Sequence, residues 1–237
     1  TRLPLVIHEQ NAVAGTTNRL LAPLAMRVLC GLPGEFAQQR DAKVVGNPVR
    51  ANFYAVDRSG LAELSGFSAQ RPLNLLVLGG SLGAAPLNRL LPATLDRLVV
   101  KGLGASISVW QQCGERNRSA ADEVWQGSRF SQCRCDDFID DMATAYAWAD
   151  VVIARAGALT VSELAATGTP ALLIPLPHAI DDHQTHNAQV LTATGGAVMM
   201  TQSDATPQRV ADCLEQWIQS PASLLEMARR SLAMVAA

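Results

Sequence analysis

One carboxylate stands out for where it lies. In "ARAGALTVSELAATGTPALLIPLP" (154–177), Glu163 is the only formally charged residue between Arg155 and Asp181. The run reads as a glycine turn, a short helix opening on small residues and hydroxyls, and a buried strand. Gly157 supplies the turn, Ala158 and Leu159 keep the backbone accessible, and Thr160 or Ser162 can donate from the first turn. A phosphate there would meet unpaired N–H groups and the positive end of the helix dipole. Glu163 falls on the first or second turn, where capping is the bland account of an acid. The functional account is an acceptor for two sugar hydroxyls, and the Gly/Ala-rich setting beside a second phosphate-type loop favours it.

That second loop is "VLGGSLGA" (77–84), which follows an apolar strand and opens a helix, with Ser81 adding a hydroxyl donor. It has neither the spaced dinucleotide fingerprint nor the P-loop lysine, so a tight turn without ligand explains it nearly as well. "PHAIDDHQTHNA" (177–188) concentrates three of the four histidines. His183 and His186 beside Asp181 and Asp182 raise a metal site, but H-x-x-H without a third fixed ligand is unspecific. Contacts to a sugar or phosphate, no metal, and Asp182 as a helix cap are the expectation. "IHEQNAVAG" (7–15) sets His8, Glu9, Gln10 and Asn11 just past a strand end, and "VGNPVR" (45–50) puts Arg50 where it could clamp a carboxylate, phosphate or base across a cleft.

The elements that must position these loops alternate strand and helix. Strands are expected at 3–8, 27–32 and 43–49, then at 73–80, 105–112, near 129–135, 150–154, 171–175 and 197–200. Helices are expected at 15–25, 84–99, 117–125, 140–148, 159–167, 184–194, 207–219 and 221–236, with Thr16 or Thr17 capping the first. A polar stretch from Asp57 to Pro72 reads as a linker. This alternation implies a parallel sheet covered on both faces, with ligands at the carboxyl ends of its strands.

The chain of 237 residues, 49% hydrophobic and 17% charged, can bury a sizeable core. A net charge of −2 argues against a nucleic-acid partner. No apolar run is long enough to span a bilayer. "LLAPLAMRVL" (20–29) is broken by Pro23 and Arg27 and reads as a core-facing helix and strand rather than a bilayer-surface segment. Cysteines 30, 113, 133, 135 and 213 have neither redox nor zinc spacing and read as free thiols of a reducing compartment. The opening "TRLPLVIHEQN", already a strand and without Met, reads as a start partway through a domain.

Together "HEQNAVAG", "VVGNPVR", "LVLGGSLGA", "FIDDMATAYAWADVVIARAGALTVSELAATGTPALLIPLP" and "DDHQTHNA" resemble the MurG family of UDP-N-acetylglucosamine transferases, in order and spacing over nearly the whole chain. The resemblance implies an α/β fold of GT-B type with Rossmann-like parallel sheets. Residues 1–47 would be the tail of an acceptor-side domain, 48–219 a complete donor domain, and 220–237 a shortened C-terminal helix. It implies an inverting transfer of GlcNAc from UDP-GlcNAc to an undecaprenyl-pyrophosphoryl-MurNAc-pentapeptide, without a cofactor. The setting would be the cytoplasmic face of the bacterial inner membrane, peripherally bound, in company with cell-wall synthesis machinery. Asn11 would contact the donor, Arg50 and Ile139 would surround the uracil, and Ser81 would meet the diphosphate. Ala158, Leu159, Thr160, Val161, Ser162 and Glu163 would form the donor loop, Glu163 on the ribose, and Gln184 would read the sugar hydroxyls. The catalytic base would lie in the family's N-terminal glycine-rich loop, which this sequence lacks; His8 sits too far back on its strand to replace it. Leu82 and Ala156 stand where the family commonly has glutamine and serine. Two other functions fit these loops: another UDP-sugar enzyme of the same fold, such as an epimerase or a transferase with a different acceptor, and a nucleotide-binding module without catalysis.

Overall fold

The computed structural model describes residues 3–40, 42–58, 60–61, 65–80, 83–177 and 182–236. Its strands form two wholly parallel sheets, as the alternation predicts. The smaller has three strands in the order β1 (Val6–Glu9), β2 (Arg27–Cys30), β3 (Lys43–Val44). Two short helices, α1 (Thr16–Leu21) and α2 (Glu35–Gln39), accompany it, and Ile7, Ala14, Ala22, Cys30, Phe36 and Ala37 make its small core.

The larger sheet carries β4 (Leu73–Leu78), β5 (Ile107–Gln112), β6 (Cys133–Asp136), β7 (Val151–Ala154), β8 (Ala171–Leu173) and β9 (Ala197–Met199). Their spatial order is β6-β5-β4-β7-β8-β9. The chain builds outward from β4 in one direction, then returns to β4's other side with β7, which is the doubly wound arrangement with its switch point between β4 and β7. The inner strands "LNLLVL", "VVIA" and "ALL" are almost wholly buried, as helices on both faces require.

Alternation along β4 sorts the core. Leu73, Leu75 and Val77 face α3 (Ala85–Val100), α4 (Arg118–Gln126) and α8 (Pro207–Gln219), meeting Leu87, Leu91, Leu95, Leu98, Leu214 and Trp217. Leu76 and Leu78 face α5 (Met142–Trp148), α6 (Ala158–Thr167) and α7 (His183–Ala193), meeting Tyr146, Val161, Leu164 and Leu191. The last helix, α9 (Pro221–Ala236), packs on α6, where Ser231 Oγ donates to Leu164 O at 3.2 Å. At the opposite end from the site, Arg71 grips Asp150 with two bonds of 2.7 and 2.6 Å, and Asp150 also accepts from Asn74 N, pinning the start of β7 to β4.

The first helix departs from expectation. Neither Thr16 nor Thr17 caps it; Gly15 holds the N-cap position without a side-chain bond. "LLAPLAM" faces the small core only in part: Ala22 is buried in it and Leu21 and Ala25 pack against it, while Leu20, Leu24 and Met26 are exposed. With a six-residue helix followed by a 3-10 turn, helical periodicity never completes the apolar face that a longer helix would have turned inward. The helix α2 was not foreseen, and β1 starts at Val6 because its pairing with β2 begins at Val6 and Arg27.

The linker and the segment leading into it both pack into the fold. A 3-10 helix at Ala51–Ala55 puts Phe53, wholly buried, into the core beneath α5 and α6. Arg58, inside the stretch read as a polar linker, donates to Tyr146 O at 2.7 Å and Thr167 O at 3.2 Å, and also to Ala149 O and Thr169 Oγ1. Its guanidinium thus serves the carboxyl ends of α5 and α6, where the helix dipole favours a cation. Burial pulls its pKa down to about 10, with nearby Asp150 working in the opposite direction.

Candidate functional site

The loops singled out in the sequence gather at the carboxyl ends of β4, β7 and β8, beside the end of β1. After β4 the backbone turns through Gly80 and Gly83, both at positive φ, of 84° and 71°. A Cβ at Gly79 would lie 2.3 Å from Ala84 N and one at Gly83 2.0 Å from Cys113 O, so the turn admits no side chain at either position. Ser81 and Leu82 lie outside the described residues, as do His178 and Asp181. Gln112, ending β5, fixes the loop: its Nε2 donates to Gly80 O at 3.0 Å while its Oε1 accepts from Ile139 N at 2.9 Å. Ile139 is buried and held to the glycine loop through that amide.

After β7, Gly157 occupies the N-cap of α6 with no side chain satisfying the helix start and no acid in the first turn. The first intrahelical bond of that turn is Val161 N to Gly157 O, so the earlier N–H groups face the loop cluster as donors suited to an anion. Leu159 is exposed, Thr160 half-buried, and the Val161 side chain packs into the core. Ser162, expected to be a donor for a ligand, instead faces the first sheet: its Oγ donates to Ala158 O and accepts from Asn47 Nδ2 at 3.0 Å.

Glu163 is the sixth residue of α6 and therefore caps nothing. Half-buried, it accepts from the Tyr146 hydroxyl at Oε2, 3.3 Å away, and no donor among the described residues engages Oε1. Burial pushes its pKa up, against the opposing pull of the Tyr146 hydrogen bond and of the Arg50 charge. Arg50, exposed just before the 3-10 helix Ala51–Ala55, stands over the Phe53 ring at 5.8 Å. Its charge acts both on Glu163 and on Asp141, so it faces α6 and the "FIDDMA" loop together.

A network of amides joins the rest. Asn187 of α7, fully buried, accepts from Ala12 N at 2.9 Å and donates to Asn11 Oδ1 at 3.1 Å and Ala156 O at 3.2 Å. Gln184 Oε1 accepts from Ala156 N and Leu176 N, bridging the loops after β7 and β8. Two backbone donors on one atom identify it as the oxygen, so the NH2 of Gln184 is the end left for a hydroxyl or phosphate. Glu9 braces the first loop, accepting from Asn11 N, Asn11 Nδ2, Gly15 N and Asn18 Nδ2. Burial raises the Glu9 pKa, but these four bonds outweigh it and the carboxyl sits below its usual range. His8 reaches back to Gly46 O at 3.1 Å. Arg155 is buried, donating to Ile174 O, Pro175 O and Gln202 Oε1, and so props the loop after β8 from beneath.

Asn11, Gln184 and the entrance of α6 are thus brought into one network, while the Arg50 charge acts on Glu163 and Ile139 is tied to the glycine loop through Gln112. Asp182 holds the N-cap position of α7 at φ 50°, yet its carboxylate accepts from the Thr185 hydroxyl at 2.7 Å instead of capping a backbone N–H. Among the described residues no group of three or more His, Cys, Asp or Glu could hold a metal ion. Sequence reasoning missed Tyr146, Gln112, Asn47, Asn187, Arg58 and Arg155. The one visible signal was the pair of glutamines closing the largely buried β5, since a polar residue that ends a buried strand must find a partner at the strand's end.

Residues 74–237 match the glycosyltransferase family 28 C-terminal domain. The chain is 46% identical over 231 residues to the UDP-N-acetylglucosamine--N-acetylmuramyl-(pentapeptide) pyrophosphoryl-undecaprenol N-acetylglucosamine transferase of Tolumonas auensis, covering 98% of this chain and 62% of that one. To the enzyme of the same name from Cellvibrio japonicus it is 48% identical over 230 residues, covering 96% and 62%. Among solved structures, Acinetobacter baumannii MurG superposes with a TM-score of 0.77 at 36% identity, over 97% of this chain and 62% of that one. The chain therefore spans less than two thirds of the length of these relatives. With a family match over most of its length and the GT-B arrangement of the solved relative, the chain belongs to the glycosyltransferase family 28 C-terminal domain family, and MurG transferases are among its relatives.

Proposed function

We propose that this chain binds UDP-GlcNAc and forms the donor half of a transferase that moves GlcNAc, with inversion, onto an undecaprenyl-pyrophosphoryl-MurNAc-pentapeptide. The observation that carries this reading is the placement of Glu163. A half-buried carboxylate, one oxygen of which meets no donor among the described residues, lies one turn into a helix with no side-chain cap at its start, at the switch point of a doubly wound sheet. The diphosphate would meet the α6 N terminus and the glycine loop, with Ser81 beside them; Glu163 would accept from the ribose diol. Arg50 and Ile139 would border the uracil, and the Gln184 amide and Asn11 the sugar. Ala158, Leu159 and Thr160 would offer backbone. Val161 and Ser162 act behind that surface, one in the core and one on Asn47.

In this reading the chemistry is displacement at the anomeric carbon by an acceptor hydroxyl. The donor loops stabilise the negative charge that develops on the departing UDP, through N–H groups already oriented before reaction. The base that takes the acceptor's proton would come from the acceptor-binding part of the transferase. Residues 48–219 would be the donor domain, with 1–47 from the acceptor side. Peripheral attachment at the cytoplasmic face of the membrane and contact with cell-wall synthesis machinery are part of the same proposal. No helix among the described residues is long and apolar enough to cross a membrane.

Calorimetric titration with UDP and UDP-GlcNAc tests the reading. Saturable binding of both is expected, with no turnover when lipid-linked acceptor is added. Absence of nucleotide binding defeats it, and turnover by these residues alone defeats the assignment of the base.

A further inference from the structure

Tyr146 is the bulkiest fully buried side chain among the described residues. Its ring lies 5.5 Å from that of Phe53, tilted by 60°, and its backbone carbonyl accepts from Arg58. A phenol sealed in an apolar core must find a hydrogen-bond partner, and the one it has is Glu163 Oε2. From this position Tyr146 cannot touch a bound nucleotide; whatever it does for a ligand it does through that carboxylate. A free glutamate side chain spreads over several rotamers and loses them on binding, whereas one tied at a single oxygen has already lost them.

We propose that Tyr146 is a positioning residue that fixes the Glu163 carboxylate for a 2′,3′-diol and thereby makes the site discriminate ribonucleotides from 2′-deoxyribonucleotides. This rests on Glu163 being the ribose acceptor of the proposed function. The charged groups facing the pair are Arg50 on the Glu163 side and Arg58 on the Tyr146 side. Both stay in place when the phenol oxygen alone is removed, so Tyr146→Phe isolates the hydroxyl and keeps the ring against Phe53.

The test is titration of the 237-residue chain with UDP and with 2′-deoxy-UDP across a pH series. The unaltered protein should prefer UDP by roughly tenfold, and Tyr146→Phe should shrink that preference to about twofold with 2′-deoxy-UDP binding little changed. Loss of the hydroxyl also removes a bond that favours ionised Glu163, so UDP binding by the variant should begin to weaken at higher pH as acid is added. A variant that keeps both the preference and the pH profile overturns the inference. An independent readout uses the unaltered protein, which has only two tyrosines, Tyr54 and Tyr146. With 13Cζ-labelled tyrosine, the Tyr146 resonance should move on adding UDP and move less with 2′-deoxy-UDP. A Tyr146 resonance indifferent to UDP overturns the inference even if Tyr146→Phe fails to fold. Failure of the underlying reading looks different: the unaltered protein then binds no UDP, or binds both nucleotides equally.

Discussion

Asn187 and Asn11 stand 176 residues apart in the chain and share a hydrogen bond of 3.1 Å. Through it, and through the bond from Ala12 N, one buried amide on α7 ties the loop after β1 to the larger sheet. The same amide donates to Ala156 O, at the entrance to α6. One side chain thus joins the entrance of α6 to the loop after β1, alongside the separate bond from Asn47 to Ser162.

Replacing Asn187 with Ala removes that hub and strands a buried N–H and two carbonyl oxygens. Each unsatisfied group costs roughly 1–3 kcal/mol, so a loss of about 3 kcal/mol in denaturant unfolding is expected, with weakened UDP binding. A change below about 1 kcal/mol would show that water replaces the amide at little cost.

Glu163→Gln separates binding from stability. Removing the charge should weaken UDP binding by roughly 1–3 kcal/mol. The folded-state pKa of Glu163 lies above its ordinary value, chiefly through burial, so its ionised form is a burden on the fold at neutral pH and stability recovers as pH falls through that pKa. The Gln variant should therefore melt no lower than the parent at pH 7, and its UDP affinity should lose the fall at acid pH that the parent shows. A drop in Tm with unchanged UDP affinity would make Glu163 a structural residue only.

Gly31→Ala probes the joint between the sheets. A Cβ there would sit 1.9 Å from Asn47 Oδ1, so the amide must swing away and release Ser162. Destabilisation of roughly 1–3 kcal/mol is expected from the overpacking. Hydrogen exchange should rise at residues 10–12 and at the start of α6, with the core of β4 to β8 unchanged. Uniform protection throughout would mean that Asn47 does not couple the two units.

Arg58→Met should be the most damaging of these changes. It leaves the carboxyl ends of α5 and α6 without their shared cation and strips donors from four acceptors. A loss of about 3–5 kcal/mol in unfolding free energy is expected, with α5 losing protection first. Retention of parental stability would show that solvent reaches those carbonyls.

The positions of the strands and helices of the larger sheet were readable along the chain because each buried strand is a continuous apolar run and each helix repeats its apolar positions. Thus "DVVIA" and "LNLLVL" marked β7 and β4, and the two C-terminal helices begin and end where their patterns do. The loops at strand ends were legible too, Glu163 as a lone acid in a small-residue pattern, and Asn11 and Gln184 within dense polar runs just past apolar strands. What such patterns cannot carry is partnership. Ser162 read as a donor for a ligand but is held by Asn47, 115 residues earlier, and Asp182 read as a cap but serves a hydroxyl. Tyr146 and Arg58 gave no signal of their own along the chain. A hydrogen bond is decided by where two atoms arrive in space, and for these residues the partner comes from another layer of the fold. The sequence by itself determined the parallel sheet, its switch-point loops and the family; only the packing of α5, α6 and α7 against the linker decided which of the polar side chains remain available to a ligand.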